Sequence, residues 1–419
     1  MVLCFMSFVW LFGCMGVRKS KGRGGKWGLV VGDMVNLRWM KFRGLCCLLL
    51  LAAGLVFAGC VGKGGALQED SGVDSLTFRY ATLLKVYHSG EADVVVIRNP
   101  WKPGAELHRY VLVARELGDV DADELPRGTL VRTPLSKAAI FSSVHLSLLQ
   151  DLDALGSVSG VCDLEYVQNS AVHAGVAEGV IRDMGSGMNP NVELIVAGGT
   201  DGLLVSPFEN AGYGALEQTG IPLIECADYM EVSPLARAEW MRLYGRLFGR
   251  AAEADSMFLR IEEAYLRLKQ MAATVAVRPT VMCDMLQGAA WYVPGGRSTM
   301  GQVYQDAGAD YLFKDRAEAG SLALGQEEVL SCAVDADVWF LKYGQSQDYT
   351  YAGLRKENPL YAEFAPYKRH RIYGCNTLRV PFYDVEPFHP DLLLADIISI
   401  LHPQLLPDHD AVFFTPLAD

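Results

Sequence analysis

The sequence predicts an α/β protein made of two Rossmann-like lobes joined by a long helical segment. Three observations lead there. The strand cores LLVSP (203–207), PLIEC (222–226) and VWFLKY (338–343) are continuously apolar, the pattern of parallel strands buried on both faces. They alternate with helical stretches and Gly-rich turns, as parallel α/β sheets require. Between two such series lies 233–271, the longest helical region of the chain.

In chain order, residues 40–60 read MKFRGLCCLLLLAAGLVFAGC. Lys41 and Arg43 precede an apolar run over 45–57, which is short for a membrane span and has the layout of a secretory leader. A start at Met34 or Met40 suits that leader better than Met1, so residues 1–39 are expected to be a mis-assigned start outside the fold. The leader ends at Phe57-Ala58-Gly59-Cys60, which resembles a bacterial lipobox and makes Cys60 the expected lipidation site. Residues 61–75, rich in Gly, Ser and Gln, read as a tether.

The N-terminal lobe is expected over 76–232. Its first part, 76–130, alternates apolar and polar residues like short strands joined by turns. The stretch 142–162 then starts as a helix capped by Ser142-Ser143 and ends in GVCD (160–163). Ser233-Pro234 opens the interlobe helix, expected over 233–250, where Trp240, Leu243, Leu247 and Phe248 share one face. The C-terminal lobe takes 251–419, with strands at TVMCDML (280–286), VWFLKY and RIYGCN (371–376). Its closing helix lies in PFHPDLLLADIISILHP (387–403).

Composition excludes several functions. Of 419 residues, 51% are apolar, enough for a substantial core. Residues 1–60 hold eight of the 37 basic residues and one of the 49 acidic ones, so the remainder carries a formal charge of −19. That is the wrong sign for a nucleic-acid surface. Cys162, Cys226, Cys283, Cys332 and Cys375 are scattered without a CxxC pair, and the eight histidines do not cluster at ligand spacing, so no metal site is expected. GxSxG, HExxH and P-loop patterns are missing, so neither a catalytic residue nor a cofactor is expected.

From about residue 130 to 405, the order of motifs resembles the periplasmic substrate-binding proteins that serve ABC importers of iron–siderophores, haem and cobalamin. MNPNVELIVAGGTDGLLVS (188–206) is similar to that family's N-lobe motif of Asn, an apolar residue, Glu, then a helix leading to Pro-Asp and a strand. Here Gly199-Thr200-Asp201 lacks the proline. WYVPGGRSTMGQVYQDAGADYLF (291–313) resembles the C-lobe pocket loop and helix. EWMRLYGRLFGRAAEAD (239–255) resembles the start of the interlobe helices.

The resemblance implies the class III periplasmic binding protein fold, with ligand held between the lobes. It implies an exported, lipid-anchored monomer that delivers an iron chelate, haem or a corrinoid to an ABC permease dimer with its ATPase. It implies one surface glutamate per lobe that docks on the permease, at Glu193 and at Glu327, with Glu328 a rival. Both positions lie near helix starts, where the helix dipole favours a carboxylate without any partner.

Strand-end loops supply the expected ligand contacts. These are Ser143 and His145 after the first N-lobe strand, and Met188 before the Glu193 helix. In the C-terminal lobe they are Trp291 and Tyr292, whose rings suit a flat or aromatic ligand, Arg297 for an anionic group, and Arg379 with Tyr383 after RIYGCN. Two rivals stand beside this reading: a lipoprotein that scavenges metal complexes without a permease, and an exported carbohydrate-active enzyme.

Overall fold

A computed structural model describes residues 75–210 and 212–419. The leader, Cys60 and all of the tether but Ser75 lie outside the described residues.

The first sheet holds β1 (Ser75–Leu76), β2 (Leu84–Ser89), β3 (Ala92–Arg98), β4 (Glu106–Ala114) and β5 (Thr129–Thr133), paired in that order. Its pairs are antiparallel except β4 with β5, which run parallel. One face, with Val95, Ile97, Tyr110 and Leu112, packs into the core of the N-terminal lobe. The other, with Ala92, Val111 and Val113, is covered by Val120 and Leu125. Both faces are therefore dry, which explains the near-continuous burial of β3.

The N-terminal lobe is a parallel sheet of β6 (Ala138–Ile140), β7 (Val158–Val161), β8 (Arg182–Asp183), β11 (Gly202–Val205) and β12 (Leu223–Glu225), in the order β12-β11-β6-β7-β8. A small hairpin, β9 (Gly185–Ser186) with β10 (Asn189–Pro190), stands between β8 and β11. Three helices accompany the lobe: α1 (Ser143–Asp151), α2 (Ser170–Ala177) and α3 (Val192–Ala197). Asn191 caps α3 by accepting from Leu194 N. After α3, Asp201 holds the segment that leads into β6, accepting from Ser136 N, Ser136 Oγ and Lys137 N and pairing with Arg115 at 2.6 Å. The aspartate of the Gly-Thr-Asp motif thus anchors the strand start without a proline.

Three helices lead from lobe to lobe: α4 (Pro234–Glu239), α5 (Met241–Leu247) and α6 (Ala251–Ala273). The expected bridge over 233–250 is part of a longer connection. Leu235 of α4 joins the C-terminal core, Trp240, Met241, Leu243, Tyr244, Leu247 and Phe248 join the N-terminal core, and Gly249, with φ +70°, ends α5. The connection continues along α6. Ala254, Phe258 and Ile261 of this helix join the N-terminal core, while Tyr265, Leu268 and Ala272 join the C-terminal core. That i, i+3, i+4, i+7 spacing keeps one apolar stripe facing both cores.

The C-terminal lobe has β13 (Thr280–Cys283), β16 (Asp310–Tyr311), β18 (Val338–Tyr343), β19 (Ile372–Asn376) and β20 (Thr415–Pro416), in the order β16-β13-β18-β19-β20. All are parallel except the edge strand β20. A second, antiparallel sheet joins β14 (Leu286–Gln287), β15 (Ala290–Pro294) and β17 (Ser321–Leu324). The helices are α7 (Thr299–Asp306), α8 (Gln326–Ala333), α9 (Tyr351–Glu357), α10 (Ala365–Lys368), α11 (Phe382–Val385) and α12 (Pro390–Leu401). No helix among the described residues is long and apolar enough to cross a membrane.

Candidate functional site

Parallel sheets bind ligands at the carboxyl ends of their strands. In the N-terminal lobe those ends lead to Ser143 after β6, Asp163 after β7 and Ser206-Pro207 after β11. In the C-terminal lobe they lead to Asp284 after β13, Gly344 after β18 and Thr377 after β19. Side chains from the two sets of loops meet. Ser143 Oγ donates to Asp384 Oδ1 at 2.5 Å, and Gln168 Nε2 donates to the Thr377 carbonyl at 2.6 Å. His389 and Asp151 stand 3.0 Å apart, and Arg237 of the linker helix α4 stands 3.9 Å from Glu386. The two lobes are in contact across the cleft.

The C-lobe side holds a largely buried ion pair, Lys342 Nζ to Asp284 Oδ1 at 2.8 Å. Burial opposes the charge on Lys342, and the Asp284 carboxylate outweighs it, holding the ammonium well above its ordinary pKa. Asp284 has φ 56°, a left-handed conformation that aspartate tolerates better than most residues. Beside the ends of β18 and β19 lies a cavity of ≈ 260 Å³ walled by Tyr343, Tyr349, Phe413, Asp348, Asn376 and Arg379. Its walls all come from the C-terminal lobe, and ligand pockets commonly measure about 300–1,000 Å³, so this cavity by itself holds only part of a ligand of ordinary size.

The expected contacts divide. Ser143 is at the first position of α1 and spans the lobes, as above. Met188 sits at the tip of the β9–β10 hairpin with 76% of its surface exposed. Arg379 is exposed, lines the cavity and pairs with Asp348 at 2.8 Å. Tyr383 is also accessible, next to the interlobe contact at Asp384. Tyr292 is half-buried, with its backbone opposite Ala323 of β17. Arg297 is exposed on a loop whose neighbours are committed to packing. Gly295 N and Gly296 N donate to the carbonyls of Gly320 and Arg316, and a Cβ on Gly296 would come within 1.9 Å of Lys314 O. The glycines of VPGGRS therefore admit a neighbouring chain segment.

Two expectations are corrected. Trp291 has no exposed surface. It packs with Trp339, Tyr361 and Phe364, and its Nε1 donates to Cys283 O at 2.9 Å. The β14–β15 turn places it on the inward face of a strand rather than in the loop. His145 is likewise buried, because it lies on the core-facing side of α1. Its Nε2 is 3.2 Å from Asp228 Oδ1 and 3.1 Å from Tyr244 Oη. Burial opposes its protonation, but the neighbouring Cys226 and Asp228 raise it to about 10, while Asp228 is held below the usual carboxylate range. Cys226, His145 and Asp228 have the composition of a nucleophile, base and orienting acid. All three are sealed in the core, so the trio holds α1 to the linker and has no access to substrate.

Glu193 and Glu327 are exposed in the first turns of α3 and α8. Neither makes an ion pair with any described residue, whereas Glu328 pairs with Arg316 at 2.6 Å. Lys342 and Asp284 were not expected from the sequence. Two signals were present: one lysine inside the apolar strand VWFLKY, and an aspartate directly after the strand TVMC, as in GVCD.

With this geometry in place, similarity to known proteins adds independent information. The family model described as periplasmic binding protein matches residues 143–377. An uncharacterized lipoprotein of Methanocaldococcus jannaschii is 26% identical over 298 residues, 68% of this chain and 69% of that protein. A possible iron-binding (periplasmic solute-binding) protein from Staphylococcus epidermidis superposes with a TM-score of 0.51 at 15% identity, over 64% of this chain and 100% of its own. A periplasmic heme binding protein from Pseudomonas aeruginosa superposes with a TM-score of 0.50 at 16% identity, over 64% and 93%. At such identities the superpositions speak to the fold.

Proposed function

The chain belongs to the periplasmic binding protein family, with that family's class III two-lobed fold, and from this premise we propose that it captures an iron chelate, haem or a corrinoid between its lobes and hands it to an ABC permease. The family is one of binding proteins, so the proposed mechanism is capture and docking without chemistry on the ligand. The observation that carries the reading is the juxtaposition of strand ends from two parallel sheets, bridged by Ser143–Asp384 and Gln168–Thr377. The names of the iron and heme binding neighbours support the ligand class.

In this reading Ser143, Met188, Tyr292, Arg297, Arg379 and Tyr383 contact ligand when the lobes part. Arg379 can exchange Asp348 for an anionic ligand group, since both side chains of that pair are more than half exposed. Glu193 and Glu327 dock on basic residues of the permease. In the same reading the leader carries the protein out of the cytoplasm and Cys60 takes a lipid anchor, which the lipoprotein relative supports.

Native mass spectrometry and absorbance of protein purified from its host test the ligand class. A Soret band, a corrin spectrum or a ligand-to-iron charge-transfer band identifies the cargo. Purified protein that carries none of these, and that leaves haemin, ferric hydroxamate, ferric catecholate and cyanocobalamin unbound in titrations, overturns the proposal.

A further inference from the structure

The segment from Thr77 to Leu83 precedes the family-matched residues and lies against the linker between the lobes. Three buried carboxylates hold it: Glu231 just before α4, Glu239 on α4 and Glu262 on α6. Glu239 of α4, with no exposed surface, accepts from the backbone N–H of Arg79, Tyr80 and Ala81, each at 2.9 Å. Glu231 accepts from Thr82 N at 3.0 Å and Leu83 N at 2.9 Å, and from Trp240 Nε1. Glu262 of α6 accepts from Arg79 Nη1 at 2.7 Å and from Tyr80 Oη at 2.8 Å. Arg242 of α5 donates back to Thr77 O at 2.8 Å and covers the Phe78 ring.

The Tyr80 side chain contacts both hydrophobic cores, one in each lobe. Its hydroxyl is fixed at Glu262, between Ile261, which faces the N-terminal core, and Tyr265, which faces the C-terminal core. A side chain that packs on two bodies and is bonded at their pivot resists rotation of one against the other. Attaching the first sheet to its lobe needs no such contact, because that sheet already buries a full face in the N-terminal core.

We propose that residues 77–83 form a strap that braces the interlobe hinge and limits how far the lobes separate. Burial also pushes the Tyr80 phenol up to about 12, with Glu262 acting in the same direction, so the donor stays protonated across the working pH range. The inference needs only the two-lobed fold and does not depend on which ligand the cleft takes.

The test is an interlobe distance distribution in ligand-free protein, from spin labels at Glu178→Cys on the N-terminal lobe and Lys356→Cys on the C-terminal lobe in a Cys332→Ser background. The variant Arg79→Met/Tyr80→Phe/Glu262→Met removes every strap bond to α6 without leaving an unpaired charge. A broader distribution reaching longer distances is expected, with exchange of the strap amides accelerated about tenfold or more. A distribution that superimposes on that of the parent overturns the proposal. Tyr80→Phe alone serves if the triple variant does not fold. It should broaden the distribution to a smaller degree, and an unchanged distribution is equally fatal to the idea.

Discussion

Lys342 on β18 reaches Asp284 at the end of β13, 2.8 Å away, with little of either side chain open to solvent. Each charge is the other's main compensation. Removing one partner of such a pair leaves a buried charge, at a cost of about 3–5 kcal/mol, while replacing both is close to neutral. Lys342→Met should therefore lower the unfolding free energy by about 3 kcal/mol, and Lys342→Met/Asp284→Asn, which removes both charges and keeps a residue suited to the left-handed backbone, should recover most of it. Denaturant unfolding of the two single variants and the double variant checks this. Additive losses would show that the pair is not coupled.

The contacts across the cleft set the cost of opening it. Asp384 is buried, which raises its pKa, and Ser143 is its one hydrogen-bond donor among the described residues. Ser143→Ala leaves that carboxylate without a donor, which should favour the separated lobes by about 1–3 kcal/mol. Small-angle scattering of ligand-free protein should report a larger radius of gyration, increasing further on addition of Gln168→Ala. Identical scattering curves would remove these two bonds from any role in closure.

The His145–Asp228 pair predicts opposite slopes of stability at the two ends of the pH range. His145 has a folded pKa of about 10 against an ordinary 6.5. Its contribution is complete below about 6.5 and is lost as pH rises through 10. Asp228 is lowered from 3.8, so its contribution is present above that value and is lost on further acidification. Unfolding free energy should thus fall between pH 7 and 10, and His145→Gln should flatten that limb. Burial raises Asp384 and Glu386, so mild acid relieves their charged forms and partly offsets the acidic limb. An alkaline limb equally steep in His145→Gln would assign the slope to other groups.

The sequence made the fold legible where periodicity was long and pure. The apolar runs at β11, β12, β18 and β19 and the closing helix α12 lie where parallel α/β patterning puts them. It was less informative where burial depends on partners far along the chain. Trp291 lies in a run of Gly and Pro that looks like an exposed loop, yet Trp339, Tyr361 and Phe364 enclose it from as far as 73 residues away. His145 looked like a ligand because its strand end faces the cleft, but helical rotation over two positions turns it inward from Ser143. The connection between the lobes was drawn too short at 250, since Gly249 terminates α5 and the apolar stripe that faces both cores resumes on α6. Lys342 could have been singled out from its unlike neighbours; its partner Asp284 is 58 residues away and depends on strand order.

Docking makes the sharpest use of position. Glu193 and Glu327 each occupy a first helical turn, one per lobe, and neither is neutralised by a described cation. Glu328, next to one of them, already has Arg316 as a partner at 2.6 Å. If a permease reads one carboxylate on each lobe, Glu193→Lys and Glu327→Lys place like charges against its basic residues, at several kcal/mol of lost complementarity. Uptake of the identified ligand in host cells should fall about tenfold or more for either variant, with ligand affinity of the purified protein unchanged. Glu328→Lys should affect uptake far less, because the native carboxylate is already spent on Arg316. Each variant has to retain the parent's melting temperature, since a lysine in the first turn also opposes the helix dipole by about 0.3–1 kcal/mol. Undiminished uptake in both Glu193→Lys and Glu327→Lys would leave the helix dipole as the whole reason for these two glutamates.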